Sequence, residues 1–337
     1  MASAVIDRVW RETTADAIEP TLATIWRDVA SRAPVARAVM SNLVIVRGCD
    51  AAEPVDVFAT ARADAIDAIV ARHPSRVIVI AHEGGCPLTR EPIAARVGVV
   101  VYGPPQARYA VEHVSVRSSC DEASLPSIVR RLARGDLPTS VWCLDDLSRY
   151  PPLRAIVAEA RQLIYDSRRW SDVTAAMRGI GEAAQGLDLD LADLNWRRLA
   201  PMRSALRHVG RELPLDALRR GDVHVTYARG EAALASLFTG WLRARLGWTR
   251  DVRPRVEEGA AGAVVLALRI GESPTPLIAM TNDDVRVTPP TTPPYVAATA
   301  RETETDAIVA ELRSLATDAA LRDTLRALAS ITSAASS

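Results

Sequence analysis

Short apolar runs alternate with helical segments through the first half of the chain, and this alternation limits the possible folds more than any other feature. Arg76–Ala81 reads RVIVIA, and similar runs occur at Asn42–Val46 and Ser140–Leu144. Between the first two, Asp56–His73 carries apolar residues at intervals of three and four, as one face of a helix does. Such alternation usually forms a parallel or mixed sheet covered by helices on both faces. The sequence therefore predicts an α/β, Rossmann-like domain with a mixed sheet over residues 1–190.

The pattern changes in the second half. Glu231–Leu246 has the spacing of an amphipathic helix, and apolar runs then follow one another without helices between them. These runs are Val252–Glu257, Ala263–Ile270, Thr275–Thr281 and Val285–Thr288. Glycine, proline, asparagine and aspartate separate them, which is typical of an antiparallel meander. We therefore expect a smaller α+β domain over residues 191–337, with the boundary near residues 186–192.

The charges of the chain are balanced. It has 41 basic and 41 acidic residues, so no overall field attracts nucleic acid or an anionic membrane, and we expect neither as a partner. Every basic residue is arginine, and a chain without lysine can form no Schiff base and lacks the phosphate-binding lysine of a P-loop. The first residues have no apolar core of signal-peptide type, and no run approaches the roughly 18 apolar residues of a membrane span. We expect a cytoplasmic protein.

The four cysteines, Cys49, Cys86, Cys120 and Cys143, are far apart in the sequence. None forms a C-x-x-C pair, and none has the close ligand spacing of a structural zinc site. Buried free thiols are the simplest interpretation. We expect no metal site, and no dithiol switch unless distant cysteines meet in space.

The chemistry of a catalytic or cofactor site is hard to find in this sequence. Gly179-Ile180-Gly181 is the nearest match to a dinucleotide motif, but it falls within a predicted helix and follows no strand. The turn His82–Gly85 follows the predicted strand Arg76–Ala81, where α/β sheets place ligands, although a plain tight turn also fits. The sequence has no G-x-S-x-G motif and no histidine pair with metal-ligand spacing. We predict no catalytic residue and no cofactor.

Large aromatic residues lie beside polar ones in the middle of the chain: Trp142, Tyr150, Tyr165, Trp170 and Trp196. Tryptophan and arginine dominate the hot spots of protein–protein interfaces, and Arg197-Arg198 follows the last of these aromatics. An interface and an ordinary core both fit this pattern.

Several motifs together resemble the glucose-6-phosphate dehydrogenase assembly proteins, the OpcA family. Gly135-Asp136-Leu137-Pro138, followed by Trp142, is similar to the strand entry of that family, and Asp166-Ser167 matches its V-D-S turn, with Tyr165 in place of the usual valine. The segment Asp193–Arg203 resembles its D-L-N-W motif and the residues that follow. Two further similar segments are Asn42–Val46 and Phe238–Trp248. Met202 stands where the family usually has tryptophan, and Cys143 stands where a second tryptophan is common.

This resemblance implies a non-catalytic allosteric effector that binds glucose-6-phosphate dehydrogenase. By that likeness, the chain would favour the active oligomer of the dehydrogenase and so promote NADPH supply by the pentose phosphate pathway. The partner-binding residues that the motifs suggest are Trp142, Asp166, Ser167, Asn195, Trp196, Arg198 and Arg203. We expect at least one of Asn195, Trp196 and Arg198 to be partly exposed. The alternative is a sugar-phosphate or nucleotide-binding domain with its own activity, which would use the turn His82–Gly85.

Overall fold

The computed structural model describes residues 5–48, 62–82, 94–118, 125–249, 251–259, 262–299 and 302–332. Within these residues the strands are β1 Val5–Thr14, β2 Ala36–Arg37, β3 Ser41–Gly48, β4 Ser75–His82, β5 Ala94–Tyr102, β6 Tyr109–Ser118, β7 Thr139–Cys143, β8 Gln162–Tyr165, β9 Asp190–Asp193, β10 Val223–Tyr227, β11 Arg255–Glu258, β12 Leu266–Ile270, β13 Ile278–Met280, β14 Asp284–Val287 and β15 Tyr295–Ala298. The α-helices are α1 Ile18–Arg32, α2 Ala63–Val70, α3 Leu125–Leu132, α4 Arg154–Val157, α5 Val173–Ala184, α6 Leu194–Arg198, α7 Ala200–His208, α8 Leu215–Arg220, α9 Ala232–Leu246, α10 Glu304–Ser314 and α11 Ala319–Thr332.

The first sheet confirms the predicted α/β, Rossmann-like class. Its strands lie in the order β1-β5-β6-β4-β3-β7-β8-β9, and β2 pairs with β6. The six strands from β6 to β9 in this order are parallel, whereas β5 and β1 extend the sheet in antiparallel fashion. Counted by themselves, the parallel strands follow the doubly wound order 3-2-1-4-5-6. The order therefore reverses between β3 and β7.

Helices cover both faces of this sheet. On one face the core includes Ile25 of α1, Val129 of α3 and Ile180 of α5. On the other face it includes Ile69 of α2 and, from a helix near the end of the described chain, Ile308 of α10. By sequence, α10 belongs to the second half of the chain. The core on this face of the first sheet therefore includes side chains from both halves. The domain boundary near residue 190 stays a prediction.

The second sheet has the order β11-β10-β12-β13-β14-β15. The antiparallel meander predicted for this half is confirmed in β12, β13 and β14, and β15 extends it. The prediction was wrong for the first run, because β11 pairs in parallel with β10 at the edge of the sheet. The helices α7 and α9 cover one face, where Leu206 and Phe238 pack with Leu268 and Val285.

Asn42 holds the loop that leads into β7. Its side-chain nitrogen donates to the carbonyls of Arg134 and Leu137 and lies 3.1 Å from the Thr139 hydroxyl, while its side-chain oxygen accepts from the Arg134 N–H at 2.8 Å. The side chain is fully buried. These contacts join two of the segments named as motifs, because Asn42 of the strand Asn42–Val46 holds the loop Gly135–Pro138 in place.

The Phe238–Trp248 motif shapes the end of α9. Gly240 leaves room for Leu328 of α11, since a Cβ on this glycine would lie 2.6 Å from that side chain. The buried guanidinium of Arg243 donates to the carbonyls of Thr249 and Val252, and the Trp248 indole N–H donates to a backbone carbonyl of α8. This motif is thus occupied with internal packing. Among the described residues, no helix combines the length and the apolar character needed to cross a bilayer.

Candidate functional site

Two turns meet at the carboxyl ends of β8 and β9. Tyr165 ends β8 and Asp193 ends β9, and the two residues are register partners in neighbouring parallel strands. The segment 166–169 follows the first strand and α6 follows the second. Open α/β sheets bind ligands outside the carboxyl ends of their strands. The topology therefore brings the Asp166-Ser167 turn and the D-L-N-W motif to one place.

Two aspartates organise these turns as caps. Asp193 Oδ1 accepts from the Asn195 N–H at 2.9 Å and from the Ser167 N–H at 3.1 Å, so one carboxylate joins both motifs. Asp166 accepts from the N–H of Arg168 at 3.1 Å and caps the short turn of 3-10 helix that follows it. Aspartate suits both positions because its side-chain oxygen can satisfy the free N–H groups at the start of a helix.

Arg198 forms a two-pronged ion pair with Asp166. The two guanidinium–carboxylate distances are 2.7 and 2.9 Å, the geometry in which arginine and carboxylate bind most strongly. The Asp166 side chain is 6% exposed and that of Arg198 is 32% exposed. Burial would raise the pKa of Asp166, but the bonds and charge of Arg198 outweigh burial and hold that pKa below its usual value. The aspartate therefore remains ionised.

Further arginines extend from these turns to other elements. Arg168 pairs with the buried Glu231, at the start of α9, at 2.5 Å. Arg169 pairs with Glu304, at the start of α10, at 3.1 Å. The turn after β8 is thereby tied to a helix that covers the second sheet and to a helix in the core of the first.

Arg197 adds a third link. It pairs with Glu302 at 2.6 Å and with Glu311 of α10 at 2.8 Å, and these contacts raise its pKa above the ordinary arginine value. Five residues and their carboxylate partners connect the turn after β8 with α6, α9 and α10. We call these five residues the junction network: Asp166, Arg168, Arg169, Arg197 and Arg198.

Beneath this network lies a group of buried polar side chains. Burial raises the pKa of Asp193 to about 7, and the nearby Asp166 charge adds to this effect. The Asn195 amide and the Tyr165 hydroxyl have no hydrogen-bond partner among the described residues. Tyr165 stacks on Trp170, with ring centroids 5.5 Å apart. The polar layer therefore contains a carboxyl group that changes its charge near neutral pH.

The structure separates the predicted partner-binding residues into buried and exposed sets. Of Asn195, Trp196 and Arg198, only Arg198 shows much of its side chain to solvent. Trp142 and Ser167 are buried as well, and Trp142 lies in the first sheet with the Arg62 guanidinium 5.7 Å from its ring. The network contains Asp166 and Arg198, and Asp193 beneath it accepts from the N–H groups of Ser167 and Asn195. Their role in partner binding stays a prediction.

Arg203 lies on the far side of Trp196 from these turns. Its guanidinium stacks on the Trp196 ring at 3.5 Å, and the indole N–H of Trp196 donates to Asp318 at 2.7 Å. Trp196 is therefore fixed on both its face and its edge. Such a tryptophan holds α6 in place and offers little surface to a partner.

Sequence reasoning missed most of the carboxylate partners in the network. Glu231 and Glu304 carry no local signal, because each pairs with an arginine far away in sequence; Arg169 and Glu304 are 135 residues apart. The arginine doublets were a usable signal. Arg168-Arg169 and Arg197-Arg198 each come shortly after the end of a parallel strand, where side chains of neighbouring turns meet.

The strand order reverses between β3 and β7, and a carboxylate lies against the end of β3 there. The Gly48 N–H at the end of β3 donates to the Asp145 carboxylate at 2.6 Å. The Tyr150 ring covers the same glycine, and a Cβ there would lie 2.7 Å from it. Dinucleotide-binding sheets offer such N–H groups to the pyrophosphate at this point. Here the Asp145 carboxylate accepts the hydrogen bond from the Gly48 N–H.

Cys143 ends β7 and is buried. Burial raises the pKa of its thiol to about 12, so it stays protonated and is a poor nucleophile. Cys49, Cys86 and Cys120, and the turn His82–Gly85 beyond its first residue, lie outside the described residues. Gly179 lies inside α5 and packs on Pro151, as the helical interpretation predicted. The described residues contain no group of three or more His, Cys, Asp or Glu side chains placed to hold a metal ion.

Comparison with known families adds to this geometry. Residues 66–182 match the family model described as the glucose-6-phosphate dehydrogenase subunit N-terminal domain, and residues 189–325 match the one described as its C-terminal domain. Two curated relatives carry the name OxPP cycle protein OpcA. The one from Synechocystis sp. is 24% identical over 200 residues, and the one from Nostoc punctiforme is 27% identical over 206. Each match covers 54% of this chain, but only 39% and 40% of the respective relative.

Solved structures offer more distant likenesses. The biliverdin reductase of Synechocystis sp. PCC 6803, solved with biliverdin and NADP+, is 10% identical with a TM-score of 0.43; the match covers 87% of this chain and 98% of the reductase. The WlbA dehydrogenase of Bordetella pertussis, solved with NADH and UDP-GlcNAcA, is 11% identical with a TM-score of 0.34, covering 89% and 95%. At these scores the likeness carries no argument about the site.

Proposed function

The chain belongs to the OpcA family of glucose-6-phosphate dehydrogenase assembly proteins, and from that premise we propose that it is a non-catalytic partner of glucose-6-phosphate dehydrogenase. It binds the dehydrogenase and favours the assembled, active oligomer, which promotes NADPH production by the oxidative pentose phosphate pathway. Two consecutive matches, over residues 66–182 and 189–325, cover both domains of a dehydrogenase subunit and carry this proposal.

The chemistry of the described residues supports a binding role. The junction network consists of arginines paired with carboxylates, and Asp166 in it and Asp193 beneath it serve as helix caps. At the end of β3, the Gly48 N–H donates to the Asp145 carboxylate, so this donor is already bonded within the chain. The Cys143 thiol is protonated at neutral pH. A nucleophile, a base and a group that orients them would have to come together for catalysis, and these features instead favour a scaffold.

The effect on the dehydrogenase follows from linked equilibria. A partner that binds the active oligomer more tightly than the inactive form shifts the population towards it, by no more than the difference between the two affinities. The exposed edge of the junction network is the contact face that we propose. Arg169 and Arg197 each show about a third or more of their side chain there, and arginine is among the residue types that dominate interface hot spots.

The buried members of the predicted set act through this face. Asp166 and Asp193 fix the two turns, and Trp196 fixes α6, so the guanidinium groups keep their positions before a partner arrives. Such preorganisation reduces the entropy that binding costs. Asn195, Trp196 and Ser167 are thus positioning residues in this proposal, whereas Trp142 belongs to the core of the first sheet.

A titration of the cognate dehydrogenase with the purified chain tests this function. NADPH formation should rise to a plateau as the chain is added, and the chain alone should reduce no NADP+ with glucose 6-phosphate. Arg169→Ala combined with Arg197→Ala should raise the half-saturating concentration at least about tenfold. The matched control is Arg130→Ala, because Arg130 is exposed and pairs with Glu159 outside the junction network. Equal titration curves for the double variant and the control would show that this face does not bind the dehydrogenase, although the dehydrogenase would remain the proposed partner.

The doubly wound strand order favours one other candidate, a domain that binds a nucleotide or sugar phosphate. The two candidates differ in what stabilises the isolated chain. A nucleotide or sugar-phosphate domain should melt at a higher temperature with NADP+ or glucose 6-phosphate, because ligand binding stabilises the folded state. The effector should show no such shift at concentrations at which it activates the dehydrogenase.

A further inference from the structure

A groove opens on the second half of the molecule, and none of the five residues of the junction network lines it. It lies between α7, α8 and α9 and the start of α11, and its volume is about 510 Å³. Its lining is rich in leucine, and the floor includes the buried side chains of Leu206, Leu218, Trp241 and Leu242. A volume of roughly 300–1,000 Å³ with a largely apolar lining is typical of sites for small molecules.

Three arginines line the same groove. They are Arg203 and Arg207 of α7 and Arg245 of α9, and no aspartate or glutamate is among the described residues that line it. The chain as a whole has equal numbers of acidic and basic residues, so this local excess of positive charge is not a consequence of composition. An apolar floor with a positive wall is complementary to a molecule that is apolar at one end and anionic at the other.

Arg203 is the most confined of the three. Its guanidinium stacks on the Trp196 ring, and Nη2 lies 3.3 Å from the Trp196 carbonyl oxygen. Its Nε is buried and has no acceptor among the described residues. Burial lowers the pKa of Arg203 to about 10, and the charges of Arg207 and Arg245 contribute, against an opposing effect of Asp318. Asp318 already accepts from the Trp196 indole, so it is only a partial counter-charge.

An anion beside Arg203 would relieve this situation in two ways. It would offset the mutual repulsion of three guanidinium groups, and it would accept charge-assisted hydrogen bonds, which are about twice as strong as neutral ones. An anion without an apolar part would leave the leucine floor in contact with water, and an apolar molecule without a charge would leave the arginines unbalanced. Both halves of the lining are used only by an amphiphile.

We propose that this groove is a binding site for a small amphiphilic anion, with an alkyl or aryl body against the leucine and tryptophan floor and a carboxylate, sulfonate or phosphate head against the three arginines. The volume and the partly buried Arg203 favour a small molecule over a protein segment. The site is separate from the proposed contact face for the dehydrogenase.

Calorimetric titration of the full chain with dodecanoate, below its micellar concentration, tests the proposal. Dodecyltrimethylammonium has the same alkyl body with a cationic head, and acetate has the same head without the body. We expect saturable binding of dodecanoate at one site, and at least about tenfold weaker binding of each comparison compound. Equal affinity for the cationic compound, or no binding of dodecanoate, would overturn the proposal.

A variant with reversed charges in the groove tests whether dodecanoate binds there. Arg207→Glu with Arg245→Glu changes two exposed residues of the groove, so the fold should be retained and the melting temperature shows whether it is. The matched control is Arg219→Glu with Arg220→Glu, two exposed arginines of α8 outside the groove. Binding of dodecanoate should weaken at least about tenfold in the first variant and stay unchanged in the second.

Two results with the variants would contradict the assignment. Unchanged dodecanoate binding by the groove variant would place the ligand elsewhere. The second result is that the unaltered chain does not bind dodecanoate, and that the groove variant, but not the control variant, fails to bind the dehydrogenase. In that case the groove is a protein-docking surface and the small-molecule proposal is wrong. Activation of the dehydrogenase by the unaltered chain is measured separately, so failure of the proposed function is distinguishable from failure of this site.

Discussion

Asp166 is buried at the centre of the junction network, and Arg198 supplies most of its compensation. A buried carboxylate that loses its partner is left desolvated and unpaired, which is among the costlier changes a single substitution can make. Arg198→Ala should therefore destabilise the protein by about 3 kcal/mol, at the low end for buried pairs because a third of Arg198 is exposed and the Arg169 guanidinium still lies 3.9 Å from Asp166. Chemical denaturation measures this change.

The double variant Asp166→Asn with Arg198→Ala separates the lost pair from the stranded charge. It should recover part of the stability that Arg198→Ala loses, because no unpaired carboxylate remains. Additive costs of the two substitutions would show that Asp166 and Arg198 are not coupled. This coupling is also the reason that Arg198→Ala is a poor test of partner binding, since loss of stability and loss of contact would occur together.

Asp193 should make stability depend on pH. Its folded pKa is raised to about 7 from the ordinary 3.8, so between roughly pH 4 and pH 7 the folded protein holds a proton that the unfolded chain has lost. Stability from this group is therefore present at low pH and is lost as pH rises through 7. Each unit of pKa corresponds to about 1.4 kcal/mol, so the loss should amount to a few kcal/mol.

Asp193→Asn removes this dependence while it keeps the oxygen that accepts from Ser167 and Asn195. The melting temperatures of the two proteins should diverge as pH rises from 5 to 8, in favour of the variant. Parallel curves over that range would show that Asp193 does not titrate there. His113 is common to both proteins, so its own lowered pKa cancels in the comparison.

At the scale of elements, the Asn42 clamp should be a large local contribution to stability. Asn42→Ala removes a fully buried side chain, leaves the Arg134 N–H without its acceptor and frees the loop before β7, at a cost of about 2–3 kcal/mol. Thr139→Val is the matched control, because it removes only one of the contacts and should cost less than about 1 kcal/mol. A similar loss for both variants in thermal or denaturant unfolding would contradict the clamp.

The elements that sequence predicted best are the interior parallel strands. β3, β4 and β7 each contain an uninterrupted apolar run because they are covered on both faces, and that run is visible without any knowledge of neighbours. β1 was missed. It is an edge strand with mostly exposed side chains, and its place depends on antiparallel pairing with β5, far along the chain. The segment that begins with the D-L-N-W motif forms two helices, α6 and α7, which are divided at Leu199.

At the scale of the whole molecule, α10 should make the predicted first domain dependent on the rest of the chain. Ile308 and Leu312 of α10 pack in the same core as Ile69 and Trp142. A fragment of residues 1–190 would expose that core to water, so it should unfold without a sharp cooperative transition. Circular dichroism on heating measures this. A fragment that melts as cooperatively as the full chain would show that residues 1–190 fold alone.

Only those parts of the candidate site that are continuous in sequence could be predicted. Motifs that lie together in sequence, such as Asp166-Ser167 and the segment from Asp193 to Arg203, could be found without a structure. The pairing of Arg168 with Glu231 could not, because the chain has 41 residues of each charge and spacing alone does not select partners. Nor does the type of residue reveal burial: tryptophan at Trp142 and Trp196 fits a hot spot and a core equally well.

The most direct test of the central claim is sedimentation velocity of the cognate glucose-6-phosphate dehydrogenase, with and without a saturating amount of this chain, with NADPH formation measured in the same samples. Because a partner that prefers the active oligomer shifts the population towards it, the dehydrogenase should sediment as a larger species that contains the chain, and its rate should rise with that species. A dehydrogenase that sediments and reacts as it does alone would contradict the account, as would NADPH formation by the chain in the absence of the dehydrogenase.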